Sequence, residues 1–379
     1  MKRRDWLLAG SALALGVSRP AFAKDATVAN SNTVKFGMSA SLSGGQASYG
    51  KDMRDGILAA FAADARQNGE RGPRFELVTV DDGGDKEKCK ANVKGLIDSG
   101  VSALLGLTSG AAAEYCMPMI EDAQIVLLGT ASGNMGIRND KLNMPFHVRA
   151  GYDAEYRQMV RYVKDFGMQR VGYVYLKDTS PANQAAMTAA LEAVGVKLTV
   201  SVPLDRNAKS FAAEANTLLA AKLDCVLFTT NAKPVEAIIE AMSQARYTGT
   251  YFSSSFAGQS LIKGMEGKGI SVIMSQVVPR PNAQAVQVVK RCQEALAALG
   301  GEAKIGYTGI EGYIAGRVAI EATRAAMAGG GLSRERFRTA LAGLNVDLGG
   351  YRVRFGGSNR QGSSMVDVVA LDRYGRIIG

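Results

Sequence analysis

The stretch VKFGMSASLSGGQASYG, residues 34–50, decides how this chain is read. Residues 34–38 make a short apolar strand. Gly and Ser then dominate 39–49. Over 50–67 the apolar residues Met53, Ile57, Ala60 and Phe61 return at helical spacing. Working outward, the same order repeats. Strands are expected over 75–80, 101–105 and 125–128, with helices over 86–99 and 111–122 between them. Strands separated by helical crossovers make a parallel sheet covered on both faces. The rhythm restarts after Phe146-His147-Val148-Arg149. Helices are expected over 152–166, 181–193, 211–220 and 233–244. Strands are expected over 170–176, 196–202, 223–229, 251–253 and 271–276. Two long helices (283–299 and 307–327), a shorter one (334–344) and a strand-rich tail (351–355 and 366–371) complete the chain. The pattern predicts two Rossmann-like α/β lobes with parallel sheets.

The opening stretch contains Leu42-Ser43-Gly44-Gly45-Gln46, five letters also used by the ATPase subunits of transporters. An ATPase needs a GxxxxGK[ST] loop to hold nucleotide and Mg²⁺. No such string exists here, so the match is a coincidence. GxSxG, HExxH and a GxGxxG after a strand are also missing, which argues against common hydrolase and dinucleotide sites. His147 is the single histidine, and it reads as a structural residue. Without a Cys/His cluster or an EF-hand pattern, no metal site and no cofactor are expected. Asp81, Asp82 and Asp85 read as helix caps.

Residues 1–23 have the layout of a cleavable signal peptide. Lys2, Arg3 and Arg4 form the positive head, an apolar run follows from Trp6 to Val17, and Ala21-Phe22-Ala23 is the small-x-small site. Arg3-Arg4 suits either the general or the twin-arginine export route. Removal of the leader lowers the net charge from +10 to +7. Lys and Arg are scattered, so no nucleic-acid partner is expected. Of the four cysteines, Cys225 and Cys292 read as core residues. Cys89 and Cys116 lie on the apolar stripes of successive helices, where an oxidising compartment would permit pairing.

Ligands of a parallel sheet bind beyond the carboxyl ends of its strands. The loops 39–49, 81–85, 107–110 and 129–133 leave those ends, and Gly, Ser and Thr dominate them. Gly lets backbone N–H groups approach a ligand, while Ser109 and Ser132 add hydroxyls. The same residues also cap helices.

In this order the motifs make the chain resemble the type I periplasmic solute-binding proteins of ABC transporters, in the branched-chain amino-acid-binding branch. The carrying residues are Ser41-Leu42-Ser43-Gly44 with Tyr49-Gly50, Asp81-Asp82-Gly83, Leu104-Leu105-Gly106 and Gly129-Thr130-Ala131-Ser132-Gly133. Phe146-His147-Val148-Arg149, Glu311-Gly312-Tyr313-Ile314-Ala315 and Asp372-Arg373-Tyr374-Gly375-Arg376 complete them. The resemblance implies two lobes joined by a three-segment hinge, with 24–148 and 278–335 in the first and 149–277 and 336–379 in the second. It implies a soluble, monomeric periplasmic protein that closes on a small solute and hands it to a membrane permease. It places Tyr49, Ser109, Gly110, Ala131 and Ser132 at the ligand from the first lobe, and Tyr152, Ser180, Asn231 and Ser255 from the second.

The chain departs from that pattern in two places. Gly110 and Ala131-Ser132-Gly133 stand where relatives place carboxylate-binding hydroxyls. The loop Ser253-Ser254-Ser255-Phe256-Ala257 lacks the acid that relatives use for an ammonium group. A buried ammonium without a carboxylate is costly. A carboxylate, an amide or another small polar solute is therefore expected at least as readily as an amino acid. The rival readings are a ligand sensor for a membrane receptor and an exported hydrolase.

Overall fold

The computed structural model describes residues 33–206, 208–300, 306–374 and 376–378; the expected leader lies outside them. Strands β1 (Thr33–Ala40), β2 (Arg74–Asp81), β3 (Ala103–Leu105), β4 (Leu127–Leu128) and β5 (Pro145–Phe146) form one sheet in the order β2-β1-β3-β4-β5. Every pairing in it is parallel. Helices α1 (Ala47–Asn68), α2 (Lys86–Asp98) and α3 (Gly110–Asp122) are the crossovers. Six of the eight residues of β1 are buried, as a strand covered on both faces requires.

The second lobe continues with α4 (Tyr152–Asp165), β6 (Val171–Leu176), α5 (Pro181–Glu192), β7 (Leu198–Leu204), α6 (Ala212–Ala220) and β8 (Cys225–Thr229). It ends with α7 (Ala232–Gln244), β9 (Thr250–Ser253), α8 (Gly258–Met265) and β10 (Val272–Gln276). The parallel order is β7-β6-β8-β9-β10.

Helices α9 (Gln287–Ala297) and α10 (Tyr307–Ala328) return to the first lobe and pack on α1. Glycines permit that approach. A Cβ added to Gly56 would lie 2.1 Å from the Gly309 carbonyl oxygen, and one on Gly312 would lie 2.2 Å from that of Met53. Helix α11 (Arg334–Ala342) stays in this lobe as well. Arg334 donates to the carbonyls of Ala123, Ile97 and Val101, and Phe337 meets Phe36 with ring centroids 5.7 Å apart.

Strands β11 (Asn345–Asp347) and β12 (Arg352–Arg354) form a separate hairpin; β12 falls in the strand expected over 351–355, and β11 was not expected. Next to it, Phe355 meets Phe146 edge-on at 5.2 Å. Only β13 (Asp367–Leu371) and β14 (Ile377–Ile378) join the second sheet, both by antiparallel pairing. Residues 336–355 therefore correct the expected assignment of 336–379 to the second lobe. The buried Phe337 and Leu341 face the first core, and nothing in their periodicity says which core that is.

The chain passes between the lobes three times: after β5, after β10 and between β12 and β13. The Tyr351 hydroxyl donates to the carbonyls of Val148 (2.7 Å) and Val277 (3.1 Å), one on each of the first two passages. His147 ties the first to the third through backbone bonds to Arg360 and Gly362.

Candidate functional site

Two cavities open between the lobes. The larger, about 530 Å³, is walled by Gln46, Ser48 and Tyr49 of the first lobe and by Asn231, Lys233 and Phe256 of the second. The smaller, about 460 Å³, lies between Ser109, Glu114 and Tyr115 on one side and Asp178, Ser180 and Arg206 on the other. Gly84 and Arg206 border both, so these are chambers of one cleft.

The aspartates build its first-lobe rim. Asp81 accepts from the backbone N–H groups of Leu42 (2.8 Å), Ser43 (3.2 Å) and Gly83 (2.8 Å). The Ser43 hydroxyl and these N–H groups hold its carboxyl down at about 2. Asp82 accepts from the hydroxyls of Ser39 (2.8 Å) and Ser41 (3.2 Å), and Asp85 caps α2 through the Lys88 N–H. Gly83 and Gly84 have φ of +58° and +82°, which glycine adopts without strain. The first two loops are thus locked to each other around carboxylates.

Between the lobes, lining neither chamber, lies a buried ion network. Arg149, 1% exposed, donates to Glu155 Oε1 (2.6 Å) and Ser255 Oγ (2.6 Å), and Glu311 Oε2 lies 3.4 Å away. Glu155 also accepts from the Ser255 N–H (2.8 Å) and the Ser275 hydroxyl (2.6 Å). Burial opposes the guanidinium charge, but Glu311 and Glu155 outweigh it and hold Arg149 above its usual range. Burial raises Glu311 despite Arg149. The second lobe therefore does supply an acid to the loop at Ser255, from α4 and not from the loop. That acid is already engaged by an arginine on the first passage between lobes.

Three rings meet between the lobes, two of them, Tyr49 and Phe256, on the wall of the larger chamber. Phe256 lies 6.4 Å from Tyr49, edge-on, and 6.5 Å from Tyr152. Tyr49 donates to the Ala131 carbonyl at 2.8 Å, and the Tyr152 hydroxyl lies 3.4 Å from Ser132 Oγ. Burial pushes both phenols up, so both stay protonated at neutral pH.

The sequence profile of the periplasmic binding protein family matches residues 33–376. The chain belongs to that family. No curated protein sequence matches it. Among solved structures, a possible leucine/isoleucine/valine-binding protein from Rhodopirellula baltica is 25% identical, with a TM-score of 0.85 over 94% of this chain and 98% of that one. An ABC-transporter solute-binding protein from R. palustris in complex with 4-hydroxybenzoate is 17% identical (TM-score 0.77, 91% and 95% covered). A branched-chain amino-acid ABC transporter protein from Thermus thermophilus with bound valine is 16% identical (TM-score 0.80, 92% and 95% covered). No helix among the described residues is long and apolar enough to cross a membrane.

In this binding protein the expected site residues divide into two sets. Tyr49 and Asn231 line the larger chamber, and Ser109 and Ser180 the smaller. Gly110, Ala131, Ser132, Tyr152 and Ser255 line neither. The Gly110 carbonyl accepts from Asn134, and the Ser255 hydroxyl is held by Arg149 and Glu155. Ser109 Oγ also caps α3 through the Ala112 N–H. Sequence reasoning missed Gln46, Arg206, Lys233, Phe256 and Lys263. Lys233 and Phe256 sit one or two residues from Asn231 and Ser255, so reading each whole strand-to-helix turn would have found them. Arg206, paired with Asp178 at 2.6 and 2.8 Å, follows β7, whose loop carried no marked motif.

Proposed function

We propose that this chain is the solute-binding component of an ABC importer, exported to the periplasm, and that it takes a small organic solute between its lobes. One observation carries the reading: both chambers of the cleft draw their walls from both lobes. A solute that touches both walls favours the closed arrangement by its differential affinity. The relatives with valine and with 4-hydroxybenzoate support an amino acid or an organic acid as the solute class. A binder is favoured over a hydrolase because His147 is buried, bonded through Nε2 to the Ile137 carbonyl, and lines neither chamber. The permease would meet the outer rims of both lobes, and a monomer suffices for that.

The test is a thermal-shift screen of the mature protein, starting after residue 23, against amino acids, organic acids, amides and nucleobases. A binder of the folded state raises the melting temperature by mass action. A concentration-dependent rise with at least one class is expected. A flat response across all four classes would overturn the reading.

A further inference from the structure

The larger chamber carries an uneven charge. Lys233, Lys263, Arg206 and Glu236 border it. Arg206 is matched by Asp178 in a two-pronged pair, which leaves two lysines against one glutamate. Glu236 is drawn toward the seam between α7 and α8, where its carboxylate abuts Gly264, and Lys233 and Lys268 act on it. Lys263 in turn acts on Asp52 across the cleft.

The backbone adds to this excess. Helices α1, α7 and α8 all begin at this chamber, and none has a side-chain cap on its first turn. Short 3-10 turns already use the first N–H of α1 (Ala47 to the Gly44 carbonyl) and of α8 (Gly258 to the Ser255 carbonyl), so the start of α7, at Ala232 and Lys233, is the one that presents N–H donors and a partial positive charge. Side-chain atoms point the same way. Asn231 Oδ1, at the start of α7, is buried and has no partner among the described residues. Turned over, that amide offers Nδ2 as a donor. The hydroxyls of Thr230 and Ser254, next to Asn231 and Ser255, are fully buried and equally unpartnered. Of these three, Asn231 lines the chamber, next to Lys233.

We propose that the second lobe receives an anionic group of the solute, held by Lys233, Lys263 and the first turn of α7. The inference rests on the solute-binding reading and sharpens it. The solute carries a carboxylate or a group of like charge, and that charge enters the larger chamber. An uncharged analogue of the same shape is rejected because it leaves these donors unmatched. The smaller chamber has the opposite balance, with Asp85, Glu114 and Asp178 against Lys86 and Arg206, so the charge separates the two chambers.

The experiment titrates the mature protein by calorimetry with 4-hydroxybenzoate, phenylacetate, succinate and glutarate, each beside its uncharged amide. At least one carboxylate is expected to bind, with its amide about tenfold or more weaker, the span of one charge-assisted hydrogen bond. For that carboxylate, Lys233→Ala and Lys263→Ala each weaken binding about tenfold, Glu236→Gln does not weaken it, and none shifts the ligand-free melting temperature by more than a few degrees. Equal binding of acid and amide overturns the inference. So does a loss of binding in Glu236→Gln with both lysine variants unaffected, which would mark a cationic pole. If no carboxylate binds while an amide, amino acid or nucleobase does, the inference fails and solute binding stands. If no solute of any class binds, solute binding fails too.

Discussion

Arg149 is the residue on which the buried ion network between the lobes depends. A buried pair is weak evidence of net stabilisation, yet removing one partner leaves an uncompensated charge. Arg149→Met leaves Glu155 without its counter-ion and Glu311 with only distant charges, and is expected to lower the unfolding free energy by about 3–5 kcal/mol in urea titrations. Adding Glu155→Gln should restore part of that loss; a strictly additive double mutant would show that the two do not interact. Asp52 provides a pH signature. Burial raises its carboxyl from 3.8 to about 6, with Lys263 opposing. The folded state therefore holds this proton more tightly than the unfolded chain. Stability contributed by the protonated form declines as pH rises from about 4 to about 6 and is level above. Asp52→Asn should flatten that decline relative to the parent protein; an unchanged slope would mean that Asp52 is solvated like an ordinary carboxylate. Of Asp81, Asp82 and Asp85, all read as helix caps, only Asp85 caps a helix; Asp81 and Asp82 instead tie the first two loops to each other, a contact their spacing did not show. Glu155 was not legible. It is an ordinary first-turn glutamate of an amphipathic helix, and only the third dimension brings it to Ser255.

Among the elements, the α1–α10 pair has the closest register with its sequence. Gly56, Gly309 and Gly312 meet backbone of the opposite helix, so a methyl group at Gly56 or Gly312 must push the helices apart. Gly312→Ala is expected to destabilise by about 1–3 kcal/mol in spite of its better helix propensity. A neutral or stabilising result would show that the helices part freely. The pair α2 and α3 holds Cys89 and Cys116, 1% and 0% exposed in one apolar cluster. Both are free thiols in the structure, and Cys116, ahead of burial, is the largest cause raising the Cys89 thiol above its ordinary value. Protein recovered from an oxidising compartment should show two titratable thiols after denaturation in place of four, and reduction should lower its stability by about 3 kcal/mol. Four thiols in the exported protein would refute this. Periodicity alone placed α1, α2 and α3 because each has one buried stripe and a turn-rich start. It found β12, within the strand expected over 351–355, but missed β11, three residues long and mostly exposed, too short for alternation to register.

At the scale of the whole molecule, the repeated strand–loop–helix order was enough to expose two sheets with five parallel strands each; the antiparallel β13 and β14 lie outside that rhythm. It did not show where the tail belongs, because an apolar stripe such as that of α11 fits either core. Tyr351 lies in that tail, and its place is where the two lobes are coupled. Its hydroxyl donates to carbonyls on the first two passages, and the lobes touch directly in this arrangement. Ser48 Oγ lies 3.1 Å from Ser260 Oγ, and the Met135 N–H donates to Asn183 at 2.8 Å. A bond made only when the passages lie close favours the state in which the lobes meet. Tyr351→Phe keeps the ring and removes that donor, so it should cost about 1 kcal/mol of global stability while shifting the balance toward a more open form. Solute binding then weakens by about fivefold, since the competent form is less populated. Small-angle scattering of the ligand-free variant should give a larger radius of gyration than the parent, and saturating solute should bring the two together. If affinity and radius both match the parent, the Tyr351 bonds persist unchanged through opening, and the hinge must bend elsewhere, between β12 and β13.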